Sequence, residues 1–178
     1  MLEELIEIVN QNVMYRVVLY PNNEIPSELL DNIETDLETS NNNGDLFHLV
    51  EFYEEQLIYM KNNLPDTYFV AAYCDEIYIG GVALFEHTTY KNKNGEEINI
   101  IDSPGPAFQG IAKSLKGFEY KDVKLNSLLI PFILDTLKKM GHSCVYVNPV
   151  GDQRNILQKH YGFIQEPGEI NDSLIKYF

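Results

Sequence analysis

The strongest constraint on the fold is a long amphipathic helix that is followed at once by a short buried strand. Apolar residues recur at helical spacing from Asn126 to Met140, and Gly141 is placed to end this helix. Cys144–Val147 then has the apolar pattern of a buried strand. A strand reached through a helix normally returns parallel to the strand before the helix, here expected at Ala107–Lys116. This part of the chain therefore predicts a βαβ unit.

The strands expected before this unit are joined by tight turns, which predict antiparallel pairing. Asp75-Glu76 forms one turn, and an Asn-Gly pair at Asn94-Gly95 forms the next. A Gly-Gly pair at Gly80-Gly81 predicts a bulge or a close backbone approach inside a strand. The segment Ser103–Pro106 interrupts the last strand before it continues. The predicted strands are Tyr15–Tyr20, Thr67–Cys74, Ile77–Tyr90, Glu97–Asp102 and Ala107–Lys116.

Helices are expected on both sides of these strands in sequence. Ser27 can cap one helix, Asp45 can cap a second that fades near Asn62, and Asp152–His160 is a short third helix before the closing strands. The closing strands are Phe163–Gln165 and Leu174–Phe178. We therefore expect an α/β (α+β) fold with a mixed, mostly antiparallel central sheet flanked by helices. Residues 1–178 contain no linker or repeat, so a single domain is expected.

The charge of the chain is negative and unevenly distributed. The net charge is -14, which disfavours nucleic acid because its phosphates need Lys and Arg partners. Residues 1–60 contain 13 acidic residues and one basic residue, Arg16, for a net of -12, so the remaining residues carry only -2. The acidic part would attract cations, and the rest could receive an anion. The alternative is that the acids form a solvated surface that serves solubility.

Other features exclude several classes of protein or site. No apolar run is long enough for a transmembrane helix, and the acidic N-terminus lacks the basic region of a signal peptide. We therefore expect no membrane partner and an intracellular, cytoplasmic location. Four scattered His residues show no ligand spacing, so no metal is expected. The cysteines Cys74 and Cys144 lie in strand-like apolar runs and are expected to be reduced core thiols.

The residues before and after the βαβ helix resemble the cofactor-binding half of the GCN5-related N-acetyltransferases. Glu119-Tyr120-Lys121 is similar to the Glu-Tyr-Arg that many family members place before their phosphate loop, and Tyr161-Gly162-Phe163 preserves the Gly-Phe that closes the last helix. The predicted element order also follows this family over nearly the whole chain. The resemblance implies the acetyltransferase fold, with acetyl-CoA as acyl donor.

The resemblance also implies a cofactor site at the start of the helix. In the family, backbone N–H groups of a glycine loop hold the pyrophosphate at a helix N-terminus, and here Lys124 and Asn126 stand where the two glycines belong. Asn126 is expected to be the N-cap, and Pro131 to distort the first turn or to delay the start of the helix. A simple strand-loop-helix junction is the alternative. The cofactor-binding residues implied are Leu115, Lys116, Gly117, Lys121, Asp122, Val123, Lys124, Leu125, Asn126 and Gln158.

Catalytic candidates follow from the same resemblance. Gln158 stands where the family has a tyrosine that protonates the departing thiolate, and an amide is not a suitable acid. Tyr161 is the nearby phenol that could replace it, although it could also serve only in packing. The candidate bases are Asp102, Glu119 and the Glu86-His87 pair, and some family members use a water relay instead. His87 is preferred because its ordinary pKa lies near neutrality, although a surface role is the alternative.

Two functions remain open at this point. The first is acyl-CoA-dependent N-acetyl transfer to a cationic amine, such as a polyamine, an aminoglycoside-like compound or a lysine side chain. The pantetheine arm would then enter between the strands Ala107–Lys116 and Cys144–Val147 and pair with the backbone of Leu115–Gly117. The second is a binding or regulatory protein that keeps the fold without the activity, which the residues at Lys124, Asn126 and Gln158 favour.

Overall fold

A computed structural model of the chain describes residues 2–8, 13–42, 57–58, 61–62, 67–91, 94–103, 108–109, 125–147, 149, 153–165 and 173–178. Its centre is an eight-stranded sheet in the order β1-β2-β3-β4-β5-β7-β8, with β6 paired to β4 beside this path. All pairs are antiparallel except β5 with β7. The strands are β1 Leu2–Ile8, β2 Val13–Pro21, β3 Thr67–Cys74, β4 Ile77–Lys91, β5 Glu97–Ser103, β6 Phe108–Gln109, β7 Cys144–Val147 and β8 Leu174–Tyr177.

Helices cover both faces of this sheet. Three α-helices are described, α1 Ser27–Asn42, α2 Leu125–Lys139 and α3 Gln153–Tyr161, and residues 57, 58 and 61 are also helical. The mixed sheet and its flanking helices confirm the predicted fold class. The prediction of one domain over residues 1–178 stays a prediction. None of the described helices combines the length and the apolar character that a bilayer span requires.

The core divides into two layers, one on each face of the sheet. The face that packs against α1, here the α1 face, includes Val18, Phe69 and Ala83, which contact Leu29 and Ile33 of α1. The opposite face, the α2 face, packs against α2 and α3. Its buried residues include Val17, Leu19, Val70, Ala72, Val145 and Val147 from the sheet, Leu128, Leu129, Phe132, Ile133 and Leu137 from α2, and Leu157 from α3. Since successive residues of β3 are buried on alternate faces, β3 is central, as its continuous apolar pattern predicts.

The helix ends follow from local chemistry. The Pro26 carbonyl accepts the first helical hydrogen bonds, from the N–H groups of Leu29 and Leu30, so Ser27 is the first helical residue and not the cap. Helix α1 also continues through Asn42, into the run Asn41-Asn42-Asn43. At the end of α2, Gly141 has a φ of +89°, and the His142 N–H donates to the Leu137 carbonyl. This is the glycine-terminated end that the sequence predicts.

Strand β4 carries two partners in succession on one edge. It pairs with β5 through Phe85↔Asp102 and with β6 through Gly81↔Phe108. Between these two pairs the sequence has three residues on the β4 side, 82–84, and five on the β5–β6 side, 103–107, an excess of two. The excess coincides with the predicted interruption, because proline cannot donate to a sheet ladder.

The parallel partner of β7 differs from the one expected. The pairs Ile101↔Val145, Asp102↔Tyr146 and Ser103↔Val147 join β7 to β5, whereas the sequence indicated the strand Ala107–Lys116. The described part of that expected strand is β6, which pairs with β4 alone. The strand that pairs in parallel with β7 thus ends before the Pro-rich segment. The connection within the βαβ unit therefore includes this segment as well as α2.

Strand β1 is an element that the sequence pattern did not indicate. It pairs with β2 without interruption from Leu2↔Leu19 to Ile8↔Val13 and forms one edge of the sheet. Three of its seven residues are glutamates, and Glu4 breaks the apolar alternation at Leu2, Ile6 and Ile8. An edge strand has one side towards solvent, so it tolerates charges that a central strand would exclude.

Candidate functional site

The structure opens a gap between β6 and β7 at the carboxyl ends of the parallel strands. Pairing between β5 and β7 reaches its last described pair at Ser103↔Val147. Beyond it, β6 follows β4, and no pair joins β6 to β7 among the residues described. Ligands of open α/β sheets bind at the carboxyl ends of strands, where neighbouring strands separate. We therefore take this β6–β7 gap as the candidate site.

The β6–β7 gap lies above an apolar base formed by three elements. Val147 of β7, Leu128 and Leu129 of α2 and Leu157 of α3 belong to one core cluster, and all four are 5% exposed or less. The cluster holds α2 and α3 on the same face of the sheet, beside the end of β7. The buried residues next to the start of the gap are therefore apolar.

Electrostatics at this end of the sheet suit an anion. Helices α2 and α3 have no acidic residue in their first turns, whereas the first turn of α1 contains Glu28. A helix N-terminus carries a partial positive charge and unpaired N–H groups, so an acid-free first turn leaves it open to an anion. Arg154, the second residue of α3, is half-buried and donates from Nη2 to Gln165 Oε1 at 2.6 Å. Arg154 is not among the residues predicted from the sequence, although its place in a predicted first turn is a usable signal.

Only part of the predicted cofactor site lies within the described residues. Leu125 and Asn126 are the first two residues of α2, so Asn126 is helical and is not the N-cap that was expected. Helix α2 runs without a break through Pro131, so the later start that Pro131 suggested is also wrong. The expected pyrophosphate and pantetheine residues that lie outside the described residues are Leu115, Lys116, Gly117, Lys121, Asp122, Val123 and Lys124.

The two candidates on α3 lie in different environments. Gln158 is exposed, whereas Tyr161, the last helical residue, is partly buried against the core cluster under the gap. Three residues later, Ile164 exchanges hydrogen bonds of 2.9 and 2.8 Å with Ile175, which pairs with Tyr146 of β7. The segment that follows α3 is thereby linked through β8 to Tyr146 of β7. Of the two candidates, Tyr161 is the one that packs against the core cluster.

His87 lies farther along the sheet. Its partner on β5 is Ile100, three residues before Ser103 at the start of the gap. Three residues of extended strand correspond to about 10 Å. The structure therefore does not bring His87 next to the start of the gap, and its role as a base stays a prediction.

A second polar cluster lies on the α1 face, at the β3–β4 turn. The Arg16 guanidinium carbon lies 4.3 Å from the centre of the Tyr73 ring, and Arg16 Nη2 lies 2.9 Å from Glu76 Oε2. Tyr73 and Tyr20 share a buried hydrogen bond of 3.2 Å between their hydroxyls. Local sequence pattern does not predict this cluster, because Arg16 and Tyr73 meet only through the β2–β3 register.

Burial governs ionisation in this second cluster. Burial, followed by the hydrogen bond with Tyr20, raises the pKa of the Tyr73 phenol well above its ordinary value. For Arg16, burial lowers the pKa, but the neighbouring Glu76 and Tyr20 outweigh that effect and the guanidinium pKa is raised. A neutral Tyr73 and a charged Arg16 are thus both favoured. We interpret the cluster as a structural clamp on the turn.

Metal ligands do not converge in the part of the chain that is described, since no three His, Cys, Asp or Glu side chains there could hold an ion together. Both cysteines are free and buried, as expected for reduced core thiols.

Comparison with known proteins identifies the fold. No family model matches the chain, and no curated protein does. Solved structures match at low identity. A GNAT family acetyltransferase from Brucella melitensis, in complex with acetyl-CoA, has a TM-score of 0.59 and 14% identity, over 91% of this chain and 88% of its own. The PaiA N-acetyltransferase from Thermoplasma acidophilum, in complex with coenzyme A, has a TM-score of 0.53 and 17% identity, over 91% of this chain and 99% of its own.

A third similar structure is a larger protein. The probable N-acyltransferase from Enterococcus faecalis has a TM-score of 0.51 and 14% identity, over 86% of this chain. The chain spans only about a third of that protein's length, 33%. Together, the neighbours show that this chain has the fold of the GNAT acetyltransferases.

Proposed function

We propose that the protein is an acyl-CoA-dependent N-acetyltransferase whose cofactor enters the β6–β7 gap. The observation that carries the proposal is the end of the β5–β7 pairing at Ser103↔Val147, where β6 departs along β4. The neighbours from Brucella melitensis and Thermoplasma acidophilum, which have this fold, contain acetyl-CoA and coenzyme A. The outer edge of β6 offers backbone groups that could pair with the amides of pantetheine, as an added strand would.

The pyrophosphate would bind at the start of α2. The acid-free first turn supplies a favourable helix end, and Lys121 and Lys124 precede it in sequence. A glycine loop holds phosphates through the close approach of its backbone N–H groups. The charges of these two lysines would replace part of that attraction. Binding would therefore depend on salt more than it does in a glycine loop.

Acetyl transfer requires an amine that has lost its proton. The amine nitrogen attacks the thioester carbonyl, a C–N bond forms, the C–S bond breaks, and the coenzyme leaves as a thiolate that takes up a proton. Tyr161 is our candidate for donating that proton, since Gln158 has no acidic hydrogen of suitable pKa. His87 or a water relay would accept the proton from the amine. We propose a cationic amine as acceptor, because the acids among residues 1–60 would attract a cation to the protein.

Calorimetric titration with acetyl-CoA tests the cofactor assignment. We expect a dissociation constant below about 100 μM. Replacing Lys124→Glu should weaken binding about tenfold or more, since it turns attraction for the phosphates into repulsion. Lys138→Glu is the matched control, because it makes the same charge change about 20 Å away, at the other end of α2. Equal effects of the two variants would show that the phosphates do not bind at the start of α2.

Thiol release tests turnover. An amine panel that includes polyamines, aminoglycosides and lysine peptides should reveal at least one acceptor. With that acceptor, Tyr161→Phe should lower kcat about 100-fold if Tyr161 is the acid. Tyr177→Phe removes a more exposed phenol on β8 and should leave kcat unchanged. Full activity in Tyr161→Phe would remove Tyr161 from the mechanism.

A binding protein without turnover is the second candidate. It is favoured by Gln158, which is exposed and stands where the resemblance implies a catalytic tyrosine. Tight binding of acetyl-CoA without thiol release from any amine would support it. No binding at about 1 mM acetyl-CoA would contradict both candidates in the form stated here.

A further inference from the structure

The two edges of the central sheet are closed to different degrees. On the β8 side, Ile164 and Ile175 exchange two backbone hydrogen bonds, which pair the chain with the outer side of a strand of only four residues. On the β1 side, seven residues pair continuously with β2, and no strand in the described part of the chain pairs with their outer side. Every second residue of such an edge directs its N–H and C=O outward. The β1 edge therefore offers a long template for a further strand.

Charge selects what could pair with this edge. Glu3, Glu4 and Glu7 make the strand acidic, and it contains no basic residue. The register places Glu3 and Glu7 on the face of Val18 and Met14, and Glu4 on the face of Val17. Acids thus occur on both faces of the edge. The one base among residues 1–60, Arg16, pairs through its guanidinium with Glu76.

A second copy of the chain is a poor partner for this edge. In a fully overlapped antiparallel pairing of two β1 strands, Leu5 faces Leu5 and Glu3 faces Glu7 twice. In an in-register parallel pairing, each glutamate lies beside its own copy. Like charges at directly opposed positions destabilise a sheet. The edge is therefore protected against self-association, whereas a strand with lysine or arginine at these positions would gain opposite-charge pairs.

We propose that the outer edge of β1 is a docking edge for an extended basic segment of another protein, which pairs with it as a ninth strand. Backbone hydrogen bonds would hold the segment, and Glu3, Glu4 and Glu7 would select its positive charge. The net charge of -12 over residues 1–60 would also speed its approach. This interaction needs no cofactor and is independent of acetyl transfer.

The test uses the full chain and a fluorescent heptapeptide, acetyl-Thr-Lys-Val-Lys-Val-Lys-Thr-amide, which matches the seven residues of β1. Anisotropy should report binding below about 1 mM at low salt. The same peptide with an N-methyl group at every residue has identical charge but has no backbone N–H on either edge, so it should bind at least about tenfold more weakly. Amide hydrogen exchange should slow at alternate residues of Leu2–Ile8 when the unmethylated peptide binds.

Matched charge variants separate the edge from general electrostatics. Replacing Glu3, Glu4 and Glu7 together by Lys should weaken peptide binding at least about tenfold. Replacing the exposed acids Glu28, Asp31 and Glu38 of α1 by Lys makes the same change in net charge. This control should weaken peptide binding less than about threefold. Equal losses in the two variants, equal binding of the methylated peptide, no binding at about 1 mM, or dimerisation of the protein through β1 would each overturn the proposal.

Discussion

At the scale of single residues, the clamp of Arg16, Tyr73 and Glu76 shows how a polar cluster is stabilised at the rim of the core. Asp75 and Glu76 both adopt positive φ, at 47° and 66°, which is unfavourable for residues with a side chain. The Arg16–Glu76 pair and the hydrogen bond from the Asp75 N–H to the Met14 carbonyl, at 3.0 Å, hold the turn in this conformation. The β3–β4 register therefore depends on contacts outside the turn itself.

Tyr73→Phe should change how stability depends on alkaline pH. The unfolded phenol loses its proton near pH 10, whereas the folded one keeps it because its pKa is raised. The stability from this group is present below about pH 10 and is lost as the pH rises further. Between about pH 9 and about pH 11, the wild type should lose about 1.4 kcal/mol of unfolding free energy more than Tyr73→Phe. Unfolding by guanidinium chloride at both pH values measures this difference in unfolding free energy, with Tyr177→Phe as the control.

Equal alkaline losses in the wild type and Tyr73→Phe would show that Tyr73 ionises in the folded state. At neutral pH, the same variant should lose only about 1 kcal/mol, for the hydroxyl contact with Tyr20.

Gly81→Ala should destabilise the protein by about 2–3 kcal/mol. A Cβ at this position would lie 2.6 Å from a ring carbon of the buried Phe69 and would also meet the Val70 carbonyl. Neither neighbour can move freely inside the sheet. Gly95→Ala is the control, since a Cβ there meets nothing within 4 Å and only the backbone strain, about 1 kcal/mol, remains. Denaturant unfolding of both variants tests the difference, and a smaller cost for Gly81→Ala than for Gly95→Ala would contradict the packing at Gly81.

At the scale of elements, hydrophobic pattern and turn residues predicted most of the fold. Thr67–Cys74 and Cys144–Val147 are strands with the expected bounds, because both are short apolar runs between turn signals. Strand β1 was not predicted, because an edge strand need not alternate apolar and polar residues. The partner of β7 was predicted wrongly because pairing across a Pro-rich interruption depends on tertiary geometry and not on local pattern. At the site, the start of α2 was predicted to within one residue of Leu125, but its N-cap was predicted wrongly. The Arg16–Tyr73 clamp could not be predicted, because it depends on the β2–β3 register.

Pro131→Ala should stabilise α2. Proline in a helix interior lacks the N–H that would donate four residues back, and Pro131 is exposed, so alanine removes no core contact. We expect a gain of about 1–3 kcal/mol, measured as a higher midpoint of denaturant unfolding. Asp135→Ala is the comparison on the same helix, since it removes the 2.6 Å pair with Lys139 and should cost less than about 0.5 kcal/mol. A loss of stability in Pro131→Ala would show that the helix is adapted to proline.

At the scale of the whole molecule, the acidic N-terminal part of the chain and the β6–β7 gap lie toward opposite sides of the sheet. The acidic residues 1–60 supply β1, β2 and α1, at one side of the strand order, whereas the β6–β7 gap lies toward the other side. An anionic cofactor in the gap would thus bind away from most of the negative charge. A cationic acceptor or a basic segment would be drawn to the acidic side. This separation lets one small domain receive ligands of opposite charge.

Hydrogen–deuterium exchange with and without acetyl-CoA would locate the cofactor on the chain. Saturating acetyl-CoA should slow exchange at Phe108–Gln109 and in the first turn of α2, and should leave β2 and β3 unchanged. Binding without protection at β6 and α2, or protection confined to the α1 face, would contradict the assignment of the β6–β7 gap.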